Sequence, residues 1–357
     1  MQSSRPRLSP AIADVRRAVR NSLAGFAPER ATHADGERTA DADGPLVFVA
    51  LSGGPDSLAL AAATAFEAPR AGIRAGAIII DHGLQAESAD VAAIAAFQAE
   101  VLGLDPVIVR RVEVGTEGGP EAAARSARYE ALSTVAAVSG AVAVLLGHTL
   151  DDQAETVLLG LARGSGATSL QGMAPANGLF LRPLLGIRRA TTLEFCAGSN
   201  LHAWSDPHND DPSFTRVRVR ASVIPVLETE LGPGIPEALA RTADQLREDS
   251  DALDHFAEEM VEDFAQIVEA GIALPVSALA SQPAALRQRL IRLVVAGEFH
   301  ISLSRAQTLE VARLVTDWHG QKALDLPGVR VERRSGLIVF AATTVGELTG
   351  QDPVLEH

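Results

Sequence analysis

Apolar and polar positions alternate in blocks over residues 44–150, and the blocks have the lengths of strands and helices. Strand-like runs occupy residues 46–51, 77–80, 107–114 and 141–146, and the first of them is fully apolar, which is typical of a buried parallel strand. Alanine- and leucine-rich stretches of helical length lie between them at residues 58–66, 88–102 and 121–138. Strands separated by such helices need crossover connections, so the pattern predicts an α/β fold with a doubly wound, mainly parallel sheet.

The pattern changes near residue 230, where Gly232, Pro233, Gly234 and Pro236 form a break. Beyond it, residues 237–268, 283–295 and 304–318 have the spacing of amphipathic helices. Short strand-like runs follow at residues 322–326, 329–333 and 337–340 and predict a β meander. We therefore predict a flexible leader at 1–43, an α/β domain at 44–230, a smaller, mainly helical second domain at 231–342 and a tail at 343–357.

The turn between the first predicted strand and the first predicted helix has the composition of a phosphate-binding loop. It consists of Ser52, Gly53, Gly54, Pro55, Asp56 and Ser57. The glycines let backbone N–H groups approach a ligand, and the start of the following helix carries a partial positive charge that favours an anion. Asp56 is placed where a Mg²⁺ ion bridging phosphates would need a carboxylate, and the competing interpretation is that Asp56 only caps the helix.

Two further polar stretches follow the second and fourth strands, at the sheet edge where parallel sheets bind ligands. Asp81 and His82 come first, and we expect them to border a nucleotide, although His82 could instead be a satisfied strand-end histidine. His148 is a candidate for phosphate contact or proton transfer. Asp152 and Glu155 share one face of a predicted helix, which suits an ammonium group, with helix capping as the alternative for Asp152.

Arginine side chains form a third group of candidates. Arg125 could hold a phosphate or a carboxylate through its forked guanidinium, as could Arg128 on the same predicted helix, with surface ion pairs as the competing interpretation. Arg289, in the second domain, could contact the RNA backbone or belong to a solvated helix face. A basic strip fit for RNA phosphates is predicted from Arg182, Arg188, Arg189, Arg216, Arg218 and Arg220.

The loop lacks the lysine of a P-loop and the glycine spacing of a dinucleotide-binding turn, and it resembles the pyrophosphate loop of the ATP pyrophosphatase (PP-loop) superfamily. Later motifs over about residues 47–227 resemble one family of that superfamily, the tRNA(Ile)-lysidine synthases. These motifs lie at 81–84, 124–129, 147–156, 163–166, 182–185 and 206–225. The sequence departs from many relatives at Thr149, where they carry a second histidine, and at Val217, where they usually carry asparagine.

The resemblance implies a reaction in which ATP adenylates the C2 oxygen of the wobble cytidine of tRNA(Ile) with a CAU anticodon. Pyrophosphate leaves, and the amine of free L-lysine then displaces AMP. The implied cofactors are ATP, bound by residues 52–57, Asp81 and His82, and Mg²⁺, bound by Asp56. Lysine would be bound by Asp152 and Glu155. The implied catalytic residues are Asp56, Arg125, His148, Asp152 and Arg216, and the implied tRNA contacts are Arg182, Arg188, Arg216, Arg218, Arg220 and Arg289.

Composition excludes some classes of protein. The 357-residue chain has a formal net charge of −14, which argues against a uniformly basic nucleic-acid binder but allows a local positive patch. Cys196 is the only cysteine, which excludes an internal disulfide and a cysteine-pair metal site. No apolar run approaches about 18 residues and no signal-peptide pattern is present, so we expect a cytoplasmic protein without a membrane segment.

Rival functions share the loop. A tRNA 2-thiolation enzyme generally needs reactive or cluster-binding cysteines, which a lone Cys196 does not supply. An amide-forming ligase would not explain the signature at residues 206–220, and a non-catalytic tRNA-binding module would not need Asp56, Asp152 and Glu155. A homodimer is a possible assembly, for which the sequence carries no specific signal.

Overall fold

The computed structural model describes residues 9–27, 44–83, 88–115, 119–164, 166–206 and 211–343. The chain divides into two compact units, residues 1–246 and 247–357. The predicted tail from residue 344 on, much of the predicted leader, and the motif residues Leu84, Ser165, Pro207 and Asn209 lie outside the described residues. Within the described ranges, none of the helices combines the length and the apolar character that crossing a membrane requires.

The first unit is built on a six-stranded sheet. Its strands are β1 Leu46–Ala50, β2 Arg74–Asp81, β3 Val107–Arg111, β4 Ala141–Leu145, β5 Ala176–Asn177 and β6 Phe180–Leu181. They lie in the order β3-β2-β1-β4-β6-β5, with β5 antiparallel to β6 and the other pairs parallel. The predicted α/β fold with a mainly parallel sheet is confirmed.

Helices precede, connect and follow the strands of this sheet. They are α1 Pro10–Leu23, α2 Pro55–Glu67, α3 Ser88–Val101, α4 Pro120–Val138, α5 Leu150–Ala162, α6 Ala167–Leu170, α7 Arg189–Gly198, α8 Thr215–Arg218, α9 Ile224–Leu231 and α10 Ile235–Phe264, the last of which continues past residue 246 into the second unit. Successive strand residues point to opposite faces. Val47 and Val49 therefore pack in a core with α1, α2, α3 and α7, whereas Phe48 packs in a second core with α4.

Strand β1 lies between β2 and β4, so the order of strand addition reverses at β1. Open α/β sheets bind ligands beyond the carboxyl ends of their strands at such a reversal. Residues 52–57 join β1 to α2 at this place. Gly147, just after β4, packs against them, because a Cβ there would lie 3.0 Å from the backbone nitrogen of Ser57. The lack of a side chain at residue 147 lets the end of β4 approach the loop closely.

Residues 10–23, which we predicted as part of a flexible leader, instead form helix α1. Buried residues recur at every fourth position and line one face of this helix. They are Ala11, Val15, Val19 and Leu23. Arg16 and Arg20 bond the carboxylate of buried Glu67 at the end of α2. This apolar stripe and the ion pairs outweigh the polar, proline-containing sequence around them, and they attach α1 to the domain.

The second unit combines helices with an antiparallel sheet. Its helices beyond α10 are α11 Val276–Ser281, α12 Ala284–Phe299 and α13 Arg305–Thr316. Its strands are β7 Gln266–Val268, β8 Gly271–Pro275, β9 Leu324–Leu326, β10 Val329–Arg334 and β11 Leu337–Ala342, in the order β7-β8-β11-β10-β9. Leu290, Val311 and Phe340 belong to its core. The helices predicted at residues 283–295 and 304–318 and the terminal meander are confirmed.

Two strands of this sheet and one boundary differ from the prediction. The helix expected at residues 237–268 ends at Phe264, and β7 and β8 follow as a hairpin that pairs with β11. Gly271 begins β8 with φ of +142°, and a Cβ there would clash with the carbonyl oxygen of Phe340. The expected domain break at Gly232 and Gly234 lies between α9 and α10, inside the first unit.

Candidate active site

The loop after β1 is tied into a compact turn by its own hydroxyl groups. Ser57 Oγ donates to the carbonyl oxygen of Gly54 at 3.0 Å and accepts from the backbone nitrogen of Ser52 at 3.2 Å. The carbonyl oxygen of Gly53, a residue with φ of +83°, accepts from the backbone nitrogen of Trp204 at 2.9 Å. These bonds fix the turn at the positive end of the α2 dipole, an arrangement that favours phosphate.

Three carboxylates of the site meet around one guanidinium, that of Arg189. Its Nε lies 3.1 Å from Asp56 Oδ2 and its Nη2 lies 2.7 Å from Asp152 Oδ1. Its Nη1 lies 3.9 Å from Glu155 Oε1. Burial lowers the pKa of Arg189, but the three carboxylates outweigh burial and raise this pKa above its ordinary value. The sequence predicted Arg189 as part of the basic strip, whereas the structure places its guanidinium at the centre of the three carboxylates.

Local sequence positions the carboxylate of Asp152. Thr149 is the N-cap of α5 and forms a capping box with Asp152. Asp152 Oδ2 accepts from Thr149 N and from Thr149 Oγ1, both at 2.8 Å, so Oδ1 is left to face Arg189. The neighbouring Asp151 accepts from the backbone nitrogen of Arg189 at 2.7 Å. The Asp152 side chain thus caps helix α5 with Oδ2 and binds Arg189 with Oδ1.

Glu155 is fully buried, and Arg220 holds its carboxylate. Arg220 Nε donates to Oε1 at 2.7 Å and Nη2 donates to Oε2 at 3.2 Å. Arg220 Nη2 also lies 3.6 Å from Asp152 Oδ1. Burial raises the pKa of Glu155, and Arg220 and Arg189 offset this only in part.

Asp56 has a hydrogen-bond donor at each oxygen. Thr192 Oγ1 donates to Oδ1, and Arg189 Nε donates to Oδ2. Burial raises the pKa of Asp56, and Arg189 and Thr192 offset this only in part. Cys196, also on α7, lies beneath the loop with Sγ 3.4 Å from the carbonyl oxygen of Pro55. Burial and Asp56 raise the pKa of this thiol to about 11, so it is protonated and unreactive at neutral pH.

The helical segment that begins with α8 and continues through residue 223 points Arg216, Arg218 and Arg220, which the sequence analysis grouped in one strip, in different directions. Arg216 Nη2 donates to Thr156 Oγ1 at 3.3 Å, and its Nη1 lies 4.0 Å from Glu155 Oε2. Arg218 turns away and donates to two carbonyl oxygens of the preceding loop, each at 2.7 Å. Helical spacing therefore brings Arg216 and Arg220 to the carboxylates and gives Arg218 a part in holding the loop.

Two other arginines of the predicted strip are engaged within the first unit. Arg182 is buried and donates to the carbonyl oxygen of Ala174 at 2.8 Å. Arg188 lies 3.2 Å from Asp151 Oδ1 and 2.8 Å from Glu237 Oε1. Both differ from the free surface cations that a basic strip implies.

Arg289, the RNA contact expected in the second unit, is also engaged. Its side chain is 16% exposed, and its Nε donates to Asp254 Oδ1 at 2.6 Å. Its Nη2 donates to Ser250 Oγ at 3.0 Å. The guanidinium thus joins α12 to α10 and is not presented on an open helix face.

A cavity of about 220 Å³ opens beside the loop, at the ends of β1 and β2. Aliphatic side chains form much of its wall, and its polar and aromatic lining includes Ser52, Asp81, His82, Arg128 and Trp204. Hydrogen bonds from the Ser88 hydroxyl and the Gly83 backbone lower the pKa of Asp81, which stays ionised. Aliphatic walls, an indole ring and a few convergent polar groups are typical of a nucleoside pocket.

The two histidines of the site are neutral. Burial, reinforced by Arg128, lowers the pKa of His82. Burial lowers the pKa of His148 to about 3, although Asp152 opposes this shift. The Nδ1 atom of each ring is buried and has no hydrogen-bond partner among the described residues. Of the two rings, that of His82 lines the cavity beside the loop, where a ligand would be its neighbour.

Arg125 and Arg128, between which the sequence left a choice, reach different places. Arg128 lines the cavity beside the loop. Arg125 is exposed, donates to the Tyr129 hydroxyl at 3.4 Å and lines a second cavity of about 530 Å³ together with Arg216. The helical spacing of three residues thus divides the two side chains between two cavities.

Sequence reasoning missed Trp204 and the central position of Arg189. Trp204 stands in a stretch without periodicity, and no local signal marks it. Arg189 could have been found by a charge argument, because three carboxylates buried at one sheet edge need a cation. It is also the first residue of α7 and follows the short strands that extend the sheet.

Comparisons with known proteins identify the family. A PP-loop domain model matches residues 31–227, and a TilS substrate binding domain model matches residues 274–337. The chain is 64% identical over 300 residues to the tRNA(Ile)-lysidine synthase of Leifsonia xyli subsp. xyli (strain CTCB07), covering 84% of this chain and 90% of the relative. The chain belongs to the tRNA(Ile)-lysidine synthase family.

Other similarities agree with this assignment. The tRNA(Ile)-lysidine synthase of Thermobifida fusca (strain YX) is 51% identical over 336 residues, which are 93% of this chain and 98% of the relative. Among solved structures, the U34-tRNA thiolase NcsA from Methanococcus maripaludis is similar with a TM-score of 0.52 at 20% identity, covering 67% of this chain and 80% of that chain. The thiolase similarity shows a shared fold, and the family expected from the motifs is confirmed.

Proposed function

We propose that the protein ligates lysine to C2 of the wobble cytidine of tRNA(Ile) with a CAU anticodon, consuming ATP and releasing AMP and pyrophosphate. The observation that carries this proposal is the bridge made by Arg189 between Asp56 of the loop and Asp152 of α5. It joins the carboxylate suited to nucleotide chemistry to the carboxylate suited to an amine. Activation by ATP and attack by an amine can therefore take place at one site.

ATP fits with its nucleoside in the cavity lined by Trp204 and its phosphates on residues 52–57. The described residues contain no group of three or more metal-binding side chains. Mg²⁺ often uses one or two carboxylates together with substrate phosphates and water, so Asp56 fits a shared site of this kind. When bound there, Mg²⁺ would neutralise charge on the leaving pyrophosphate.

The reaction proceeds in two steps of bond exchange. The C2 oxygen of cytidine forms a bond to the α-phosphorus of ATP as the bond to pyrophosphate breaks. The lysine amine then forms a bond to C2, and AMP leaves with the oxygen. Backbone N–H groups of the loop and neighbouring arginines stabilise the charge that develops on the phosphates.

Asp152 and Glu155 divide the handling of the amine. Burial raises the pKa of Asp152, but Arg189 and the hydrogen bonds from Thr149 outweigh burial, so Asp152 stays ionised and attracts a cationic lysine. Glu155 has a raised pKa and is the better acceptor for the proton that the amine loses on attack. Neutral His148 serves through a hydrogen bond rather than through charge.

The tRNA is proposed to approach the site past Arg216, which lies beside Glu155. Contact between the second unit and the tRNA is supported by the match of residues 274–337 to the TilS substrate binding domain.

A homodimer and a cytoplasmic location remain predictions, and sedimentation of the purified protein would test the first.

Thiolation of tRNA is the rival reaction, because the similar thiolase is described with its 4Fe-4S cluster. A cluster of that kind is held by several cysteine thiolates. This chain has Cys196 alone, buried and with its thiol pKa raised to about 11. Lysine ligation is therefore favoured.

The decisive experiment incubates the protein with ATP, labelled lysine and tRNA(Ile) transcripts that carry the CAU anticodon. Label should enter the RNA in step with release of AMP and pyrophosphate. A transcript with another base at the wobble position is the matched control and should remain unlabelled. Release of AMP without label in the RNA would contradict the proposed acceptor chemistry.

A further inference from the structure

The cavity of about 530 Å³ beside α5 is lined by Arg216, past which the tRNA is proposed to approach, and by residues that have no role in the proposed function. Three arginines line it, Arg125, Arg163 and Arg216, with the hydroxyl-bearing residues Thr156 and Thr215. Its two other lining residues are aliphatic, and no carboxylate side chain lines it. It is therefore a positively charged cavity in a chain whose formal net charge is −14.

The charge in this cavity is largely uncompensated, unlike the charge of the arginines already described. Arg188, Arg189 and Arg220 each have a carboxylate oxygen within 2.8 Å. Arg216 has its carboxylate contact at 4.0 Å. Arg163 is exposed, and its side chain has no ion-pair or hydrogen-bond partner in the part of the chain that the structure describes.

The cavity adjoins the carboxylates at which the amine would bind. Thr156 follows Glu155 on α5, and Arg216 contacts both residues. A ligand anion in the cavity would thus lie next to the place where cytidine and lysine must meet. We propose that this cavity binds the phosphodiester backbone of the RNA strand that carries the target cytidine, with Arg163 as a phosphate contact. The proposal rests on the proposed function, which it deepens by placing the RNA strand.

The carboxylate of lysine is the other anion that could lie here, and the geometry favours RNA. One carboxylate needs one guanidinium fork. Three arginines, with Arg125 and Arg163 exposed toward solvent, suit a chain of repeated phosphates. The Thr215 hydroxyl accepts from Arg218 Nη2 at 3.0 Å and still has its proton to donate to phosphate or to the 2′-hydroxyl of ribose, the group that distinguishes RNA from DNA. The Thr156 hydroxyl already donates to the carbonyl oxygen of Asp152 at 2.8 Å and can only accept from a ribose hydroxyl.

The test replaces Arg163 with Gln and measures the affinity for the tRNA(Ile) transcript at several salt concentrations. Binding should weaken about tenfold at low salt, and the slope of log affinity against log salt should become shallower by about 1. Affinity for ATP, followed by the fluorescence of Trp204 in a Trp318→Phe background, should not change. Arg163→Lys keeps the charge and should recover much of the tRNA affinity.

Arg110→Gln is the matched control, because Arg110 is exposed on β3, lies outside this cavity and gives the same change of charge. Equal effects of Arg163→Gln and Arg110→Gln would overturn the proposal. A higher KM for lysine with unchanged tRNA affinity would also overturn it, because the cavity would then hold the lysine carboxylate. If Arg163→Gln weakens tRNA binding as expected but the wild-type protein attaches no lysine, the proposed reaction is wrong and the proposed RNA binding in this cavity is still supported.

Discussion

At the scale of single residues, the site is a balance of buried charges around Arg189. The side chains of Asp56, Asp152 and Glu155 are 18%, 11% and 0% exposed. The cations that compensate them most closely are Arg189 and Arg220. Removing one partner from buried ion pairs costs more than the pairs contribute, because the remaining charge is left without compensation.

Replacement of Arg189 with Gln should therefore destabilise the protein strongly. We expect a loss of about 3 kcal/mol in the free energy of unfolding at pH 7, measured by urea denaturation. Without Arg189 the pKa values of Asp56 and Asp152 rise, so the folded variant takes up protons more readily than the unfolded chain does. The stability difference from the wild type should accordingly shrink as the pH falls through these raised pKa values.

Arg188→Gln is the control for this variant, since it removes a neighbouring guanidinium with the same change of charge. Arg188 is 34% exposed, and its partners Glu237 and Asp151 are 38% and 19% exposed. Ion pairs of that exposure contribute about 1 kcal/mol or less. Losses of equal size in the two variants would show that Arg189 is not the centre of the charge cluster.

His148 gives a prediction about pH. Burial, with help from Arg128, lowers its pKa to about 3, whereas an unfolded chain has a histidine pKa of about 6.5. The ring is therefore neutral throughout the physiological range, and His148→Gln should lower kcat without changing the shape of the pH–rate profile between pH 5 and 8. Disappearance of an acidic limb near pH 6 in the variant would contradict a neutral role.

The same residue affects acid stability. The unfolded chain binds a proton on His148 as the pH falls below about 6.5, and the folded protein does so only near its own pKa of about 3. Stability is therefore lost as the pH falls through this window. His148→Gln cannot titrate and should lose less stability over the same range.

At the scale of elements, helix α1 is attached by a buried stripe and by one buried carboxylate. Glu67 is 2% exposed and receives Arg16 Nε at 2.7 Å and Arg20 Nε at 2.8 Å. Burial raises the pKa of Glu67, but hydrogen bonds from Arg20 and Arg16 outweigh burial and bring the pKa below its ordinary value. The ionised form of Glu67 thus favours the docked helix.

Glu67→Gln should reduce the free energy of unfolding by about 2 kcal/mol at pH 7, because both arginines lose their counter-charge. The wild-type advantage is present above the unfolded pKa of about 4.3 and is lost as the pH falls toward the lower folded pKa. Hydrogen exchange in α1 would show whether the loss is local. Arg17→Gln, which removes a 64% exposed partner of Asp14, should change little, and a loss as large as that of Glu67→Gln would contradict a special role for the buried carboxylate.

The elements that sequence predicted correctly are those with a strong local signal. Strands β1 and β4 are continuous apolar runs, and β2 and β3 each contain a shorter one. The places of Asp56, Asp152 and Glu155 follow from a strand end and from helical spacing. The site's cation could not be found in this way, because Arg189 is 37 residues from Asp152 and 133 from Asp56 in the chain. Hairpin β7-β8 was missed because it directly follows a long amphipathic helix and has its pairing partner, β11, far along the chain.

At the scale of the whole molecule, the two units have separate cores. Val47 and Leu58 belong to a core of the first unit, and Leu290 and Phe340 belong to the core of the second. The groups that the proposed reaction uses are concentrated in the first unit, because the loop, the carboxylates and the two cavities described above lie there. Units with separate cores need not unfold in one transition, so a change inside one unit should be visible in that unit alone.

Arg289→Gln tests this separation and the place of Arg289 together. The variant loses charge-assisted hydrogen bonds to Asp254 and Ser250. We expect this loss to lower the free energy of unfolding of the second unit by about 1.5 kcal/mol. Hydrogen exchange in α12, β8, β10 and β11 should then be roughly tenfold faster. Exchange in β1, β2 and β4 should not change.

Arg313→Gln, which removes a 63% exposed partner of Glu310 in the same unit, is the control and should leave the stability of both sets of strands within about 0.5 kcal/mol of the wild type. Weaker tRNA binding by Arg289→Gln with unchanged exchange would restore Arg289 as an RNA contact, since its effect would then be on the ligand and not on the packing of α12.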